Sequence, residues 1–147
     1  VMGRFGVDFV VARGEDGWEP YAVEINLREG GTSHPYGALW LLTDGALDES
    51  KTAYRTPSGQ QKHYFATDRL GDAAWGAIGL ARFLAEVDAA GLGWDAAAQT
   101  GAVFHMLSLF EPQGRLGVTA IADSPDGAHE IYLGVVELLD RLARQPA

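Results

Sequence analysis

The chain has 147 residues, 47% of them hydrophobic, and no cysteine. That length fits one domain with a real core, and the lack of cysteine excludes both a disulfide framework and a thiolate metal centre. The formal net charge is −9, with two lysines among eleven basic residues, which opposes nucleic acid as a partner but not a nucleotide held locally with metal ions.

No charge-free apolar run reaches the ~18–20 residues of a membrane helix, so no membrane partner is expected. The N-terminus has no basic leader followed by a long apolar stretch and a small-residue cleavage site, which makes a cytoplasmic protein the expectation. "GRFGVDFVV" reads as a strand almost from residue 3. A domain rarely starts in mid-sheet, so the chain reads as the C-terminal part of a longer one.

Residues 4–12 alternate, with Phe5, Val7, Phe9 and Val11 on one face and Gly6, Asp8 and Val10 on the other. Residues 18–27 alternate too. Tyr21, Val23, Ile25 and Leu27 form one face; Ala22, Glu24 and Asn26 form the other. The turn cluster "RGEDGW" between them predicts a β-hairpin. Uniting the apolar sets on one side requires paired residue numbers to sum to an even value. A two-residue Glu15-Asp16 loop gives an odd sum. A three-residue loop with Gly17 as the left-handed residue gives an even one, and it gathers Asp8, Glu24 and Asn26 on one face.

A glycine loop follows Arg28. A short helix is predicted over 35–43, a polar and mobile loop over 44–60, and a strand over 61–67. Residues 72–90 carry Leu80, Phe83, Leu84 and Val87 at helical offsets. Residues 101–110, "GAVFHMLSLF", read as a buried strand, "EPQG" as a turn and "RLGVTAIA" as the return strand. Asp123 or Ser124 should cap a last helix with Pro125 in its first turn. Ile131, Val135, Leu138, Leu139 and Leu142 form its apolar stripe.

Two carboxylates and an amide on a rigid sheet suit a hard cation such as Mg²⁺. Glu24 lies between Asp8 and Asn26 in that layout and could bridge two ions. Arg28 stays on the same face if the strand continues, where it could clamp a phosphate. Gly30 and Gly31 would let backbone N–H groups approach an anion. The same three polar residues would equally serve as an ordinary solvated strand face. The short acceptor side chains and the glycine loop directly after them favour the metal.

Other candidates are weaker. His34 would contact substrate or phosphate, or cap the following helix. His105, inside an apolar run, reads as a hydrogen-bonded core histidine, and His63 and His129 as surface residues. No two histidines share a helix face at zinc-ligand spacing. No serine sits in a nucleophile-elbow context. Trp40, Trp75 and Trp94 read as packing residues, and Asp68 as a helix cap or a substrate contact.

"GVDFVV" followed by "YAVEINLREGGTSHP" resembles the C-terminal metal-binding strands of ATP-grasp ligases, over about residues 3–35. The stretch from "YFATDRL" through "GAVFHMLSLFEPQGRLGVTAIADSPDGAHEIY", about residues 61–135, resembles the pheganomycin-type peptide ligases. The resemblance implies two Mg²⁺ (or Mn²⁺) ions, one held by Asp8 and Glu24 and the other by Glu24 and Asn26. It implies ATP as co-substrate, with Gly30, Gly31, Thr32 and His34 as its contacts and Arg28 as the catalytic residue near the transferred phosphate. The implied activity is ATP-dependent ligation of a carboxylate to an amine, an amino acid or peptide, through an acyl-phosphate. The implied fold is α+β: a mostly antiparallel sheet with packed helices, the C-terminal half of an ATP-grasp fold, plus a strand-strand-helix unit. Residues 1–60 would be the metal-binding part, truncated at its N-terminus, and 61–147 an α+β subdomain packed on it. The departures are informative. Lys51 and Lys62 both follow the metal motif, and no glycine-rich lid or adenine pocket is present. A missing N-terminal half is therefore expected, and a fragment inactive alone. A non-catalytic ligand- or partner-binding module, an Mg²⁺-dependent phosphotransferase and a homo-oligomer remain open.

Overall fold

A computed structural model of the chain describes residues 5–48, 50 and 52–145. Lys51, and residues 3 and 4 at the start of the expected first strand, lie outside the described residues. Contacts divide the chain into two compact units, residues 1–37 and 38–147.

The first unit is built on the hairpin. β1 (Gly6–Arg13) pairs antiparallel with β2 (Trp18–Asn26) in a two-stranded sheet. The expected three-residue loop does not form. Gly14 N–H donates to the Gly17 carbonyl at 2.7 Å, so Glu15 and Asp16 make a two-residue tip, and Arg13 faces Trp18 in an odd register. The parity changes further along the ladder. Phe9 faces Ala22, Val23 has no register partner, and Asp8 faces Glu24. A bulge of one residue anywhere between turn and site changes the sum from odd to even, so pattern alone cannot locate it. Its position matters for Tyr21. Expected beside Val23 and Ile25, Tyr21 instead faces Val10 and so shares the side of Asp8. No residue of either strand is buried.

β2 ends at Asn26, and α1 (Ser33–Thr43) begins slightly before its predicted start. Pro35 and Leu39 are its buried positions before Thr43, whose hydroxyl donates to the Leu39 carbonyl at 2.6 Å. Trp40, expected to pack, is 52% exposed.

In the second unit the span read as a plain loop over 44–60 contains a short antiparallel pair, β3 (Ala46–Asp48) and β4 (Ala53–Arg55). Strands of three residues are too short for a period-2 signature. β5 (His63–Gly71) outruns its predicted end. Asp68 caps no helix, because it sits within β5 where the register with its neighbour in the sheet, residues 115–122, shifts between Thr67 and Leu70. The cap is Asp72, whose carboxylate accepts the Ala74 N–H at 2.8 Å.

The predicted helix over 72–90 is split. A 3-10 helix spans Ala73–Ile78, Gly79 takes φ +82°, and α2 runs Leu80–Ala89. Glu111 accepts the Leu80 N–H at 3.1 Å and satisfies one open donor of α2. The strand predicted over 101–110 is also shorter. β6 (Gly101–His105) ends where Met106 turns left-handed at φ 58°. A 3-10 turn at Leu107–Leu109 and α3 (Phe110–Gln113) follow, so "EPQ" is helical, and Gly114 at φ 62° ends it.

β7 (Arg115–Ala122) is the middle strand of the sheet β5-β7-β6, antiparallel to both neighbours and buried from Leu116 to Ala122. α4 (Pro125–Ala143) packs on it. Ser124, rather than Asp123, caps α4 by accepting the Gly127 N–H at 3.0 Å. The core joins Phe83 and Val87 of α2, Phe110, Leu116 and Val118, and Val135, Leu138, Leu139 and Leu142 of α4, with Ile131 partly buried against them. Each such side chain contributes about 1.5–3 kcal/mol on burial. Trp75 is buried and donates from Nε1 to Asp140 at 3.1 Å. The fold is α+β, with small antiparallel sheets and packed helices. Among the described residues no helix is long and apolar enough to cross a membrane.

Candidate functional site

The site is assembled on the hairpin. Register places Asp8 directly opposite Glu24, and Gly6 opposite Asn26. Cross-strand partners share a face, so Asp8, Glu24 and Asn26 project from one side. Asn26 Nδ2 donates to Asp8 Oδ2 at 3.1 Å. That bond orients the amide and leaves its oxygen available as a further acceptor. The hairpin pays for two like charges in direct opposition, which a cation between them would relieve.

The donor set fits a hard divalent ion. It is all oxygen, with two carboxylates and an amide, and the residues are exposed or half-buried, leaving room for the waters Mg²⁺ retains. Among the described residues no three His, Asp or Glu side chains group as metal ligands. The third donor here is an amide.

An open cleft of about 730 Å³ lies beside this face. Asp8, Asn26, Arg28, Gly30, Gly31 and Thr32 line it. Glu24 and His34 do not, and both are exposed. The strand does not continue to Arg28 as expected. It stops at Asn26, and Arg28 reaches the cleft from a bend, with Nη1 donating to the Glu29 carbonyl at 3.3 Å.

Gly30 and Ser33 close a small turn. Ser33 N–H donates to the Gly30 carbonyl at 2.9 Å, and Gly30 N–H donates to Ser33 Oγ at 3.1 Å. The Gly30 amide is thus committed within the loop. Neither Gly30 nor Gly31 has a positive φ, and a Cβ on either would meet open space. Neither backbone strain nor packing inside the chain requires glycine at these positions. Ser33 is the residue that sequence reasoning missed. Its signature was available: a small hydroxyl residue immediately before an apolar helical run.

Outside the hairpin, His105, His129 and Lys62 make contacts within the second unit. The His105 ring lies over Gly117, where a Cβ would collide with it. His129 is exposed and stacks near Tyr132, with Phe65 4.6 Å from the Tyr132 ring centre. Lys62 is fully buried; its Nζ donates to the Ala98 carbonyl at 2.9 Å and meets Asp123 Oδ1 at 2.7 Å.

Comparison with known proteins agrees with the resemblance. Residues 83–135, from α2 into α4, match the PGM1 C-terminal domain. The L-propargylglycine–L-glutamate ligase of Streptantibioticus cattleyicolor is 34% identical over 126 residues. That alignment covers 86% of this chain and 25% of the relative, so the chain spans about a quarter of the relative's length. No solved structure matches the chain. By these two matches the chain fits a C-terminal part of a pheganomycin-type ligase.

Proposed function

We propose that the chain supplies the metal and phosphate site of an ATP- and Mg²⁺-dependent carboxylate–amine ligase of the ATP-grasp type, acting through an acyl-phosphate. The observation that carries this reading is Asp8 facing Glu24, with Asn26 bonded to Asp8, beside a cleft that also takes in Arg28 and the glycine loop. The relative's name supports it, since that protein is a ligase of two amino acids.

In this reading Asp8, Glu24 and Asn26 would hold the cations, Glu24 serving with both of the others. Bound Mg²⁺ would neutralise phosphate charge during phosphoryl transfer. Arg28 clamps the transferred phosphoryl group or the acyl-phosphate, where a planar fork of N–H donors fits the oxygens. Gly31 and Thr32 offer backbone N–H groups to the same anion. Gly30 shapes the turn, and His34 contacts the nucleotide or substrate from the first turn of α1. Residues 1–60 carry the metal function and 61–147 form the second module of the proposed ligase. The substrates are a small carboxylate and an amine, an amino acid or a peptide.

The test is ADP release by the full-length polypeptide with Mg²⁺ and pooled amino acids, beside Glu24→Gln. Amine-dependent ADP formation should fall on the order of a hundredfold or more in the variant. ADP formation unchanged by the substitution would leave the cluster as a polar strand face. A folded protein that binds amino acids but releases no ADP would support a non-catalytic module.

A further inference from the structure

The sheet β5-β7-β6 packs α4 against one side, and its other side gathers polar residues that the hairpin site does not use. Register fixes which they are. Thr67 faces Val118 and Leu70 faces Leu116, and Leu70, Leu116 and Val118 all belong to the core. Asp68 and Arg69 therefore stand together opposite the single Gly117, on the face turned away from that core, as two bulge residues do. Strand alternation puts Arg115 and Thr119 on the same face as Gly117. From β6, His105 faces Gly117, and its half-buried ring lies across that glycine.

Three features of this face point to a ligand. The first is charge without a counterpart. Asp68, Arg69 and Arg115 are exposed, and among the described residues none of their charged groups has a hydrogen-bond or ion-pair partner. The second is the approach of two cations in a chain of net charge −9. A Cβ on Gly71 would meet Arg115 Cγ at 2.8 Å, so the Arg115 stem crosses toward β5, the strand of Arg69. An anion between the two guanidinium groups would relieve their repulsion. The third is a buried hydroxyl. Thr119 is fully buried, and its Oγ1 has no hydrogen-bond partner among the described residues, although buried hydroxyls ordinarily have one.

We infer that this face of the second unit binds an amino acid or short peptide by its two charged ends. Arg69 and Arg115 take the carboxylate, which suits a planar fork of N–H donors. Asp68 takes the ammonium group, and the Thr119 hydroxyl bonds a polar atom between those ends. A bare anion such as phosphate fits less well, because Asp68 shares the bulge with Arg69 and would repel it. The inference goes beyond the ligase reading and stands without it, since it needs neither ATP nor the hairpin.

Calorimetric titration of the full-length polypeptide with glycylglycine, without ATP, tests this. The dipeptide should bind. Arg69→Gln and Asp68→Asn should each weaken it on the order of tenfold or more, and Thr119→Val about fivefold. Residues 68 and 69 are exposed, so the first two variants should melt with the parent. No heat with the parent would overturn the inference. So would unchanged affinity in any of the three variants; in Asp68→Asn it would leave a plain anion site. ADP release is measured separately. Dipeptide binding with these losses, in a protein that releases no ADP, would sink the ligase reading and leave this site standing.

Discussion

Asp8 and Glu24 face each other across the hairpin because Val23 is skipped. Without that bulge the odd register set by the turn would bring Val23 opposite Asp8 and turn Glu24 to the other face. Directly opposed Cβ atoms lie about 4.5–5.5 Å apart, at the outer limit of the roughly 3.5–4.5 Å of a disulfide, so a small closing shift of the ladder would join them. The native chain has no cysteine to interfere. Asp8→Cys with Glu24→Cys should cross-link on mild oxidation, and Asp8→Cys with Val23→Cys should not. Gel mobility with and without reductant reads the outcome, and preferred coupling of the second pair would mean an unbulged ladder.

Gly31 separates packing from ligand approach. A Cβ there meets nothing in the chain, and φ is ordinary, so Gly31→Ala should leave stability within about 0.5 kcal/mol. If an anion lies against this backbone, as the proposed ligase site requires, the same methyl group should raise the KM for ATP in the full-length polypeptide. An unchanged KM would remove Gly31 from the phosphate site.

Lys62 ties three segments together, since the Ala98 carbonyl and Asp123 both meet its buried ammonium. Lys62→Met keeps most of the apolar stem and strands the Ala98 carbonyl. The expected loss is about 1–3 kcal/mol, visible as a lower denaturation midpoint with an unchanged slope. A midpoint equal to the parent's would show that the pin contributes nothing net.

Asp95 presents that carbonyl. Its carboxylate accepts the Ala97 N–H at 2.7 Å and the Ala98 N–H at 3.1 Å. The bond from Ala98, then that from Ala97, holds its pKa below the usual carboxylate value. A carboxylate with a depressed folded pKa stabilises above its unfolded pKa of about 3.9, and the contribution fades as pH falls through the folded value. The stability gap between the parent and Asp95→Asn should therefore hold steady from pH 7 to about 5 and close below about 4. Urea titrations across that range measure it, and a gap that widens in acid would reverse the assignment.

Gly117 is a contact requirement rather than a turn. The His105 ring occupies the space of its missing side chain, so Gly117→Ala must displace the ring or bend the central strand. Overpacking of this kind costs about 1–3 kcal/mol. The double variant Gly117→Ala, His105→Ala should recover part of that loss, and its failure to do so would place the strain in the backbone.

Tyr21 and Ala22, on the turn side of the bulge, lie on the faces opposite to those expected, whereas the face shared by Asp8, Glu24 and Asn26 was readable from the alternation near the open end of the hairpin. The bulge was not, because parity records only that one residue is extra. The strand over 101–110 was overextended because no glycine marks Met106, a non-glycine residue in the left-handed region. The break at Gly79 hid inside a helical pattern whose offsets at Leu80, Phe83 and Val87 were correct. The grouping of Asp8 with Asn26 was legible by type and spacing, and the structure brings the two within hydrogen-bond distance. Ser33 was missed although its place ahead of an apolar helical run marked it, because its hydroxyl closes the Gly30 turn and carries no charge.

The core residues joined to α4 all lie between Leu70 and Ala143, while β1 and β2 bury none of their side chains. Cooperative melting depends on buried surface, so a calorimetric transition of this chain reads the carboxy-terminal unit and is nearly silent about the hairpin. A substitution that dissolved the hairpin would leave the transition temperature almost unmoved. A protease offered the native protein would find the hairpin first, cutting at the Glu15-Asp16 tip while the helical unit survived as a resistant fragment.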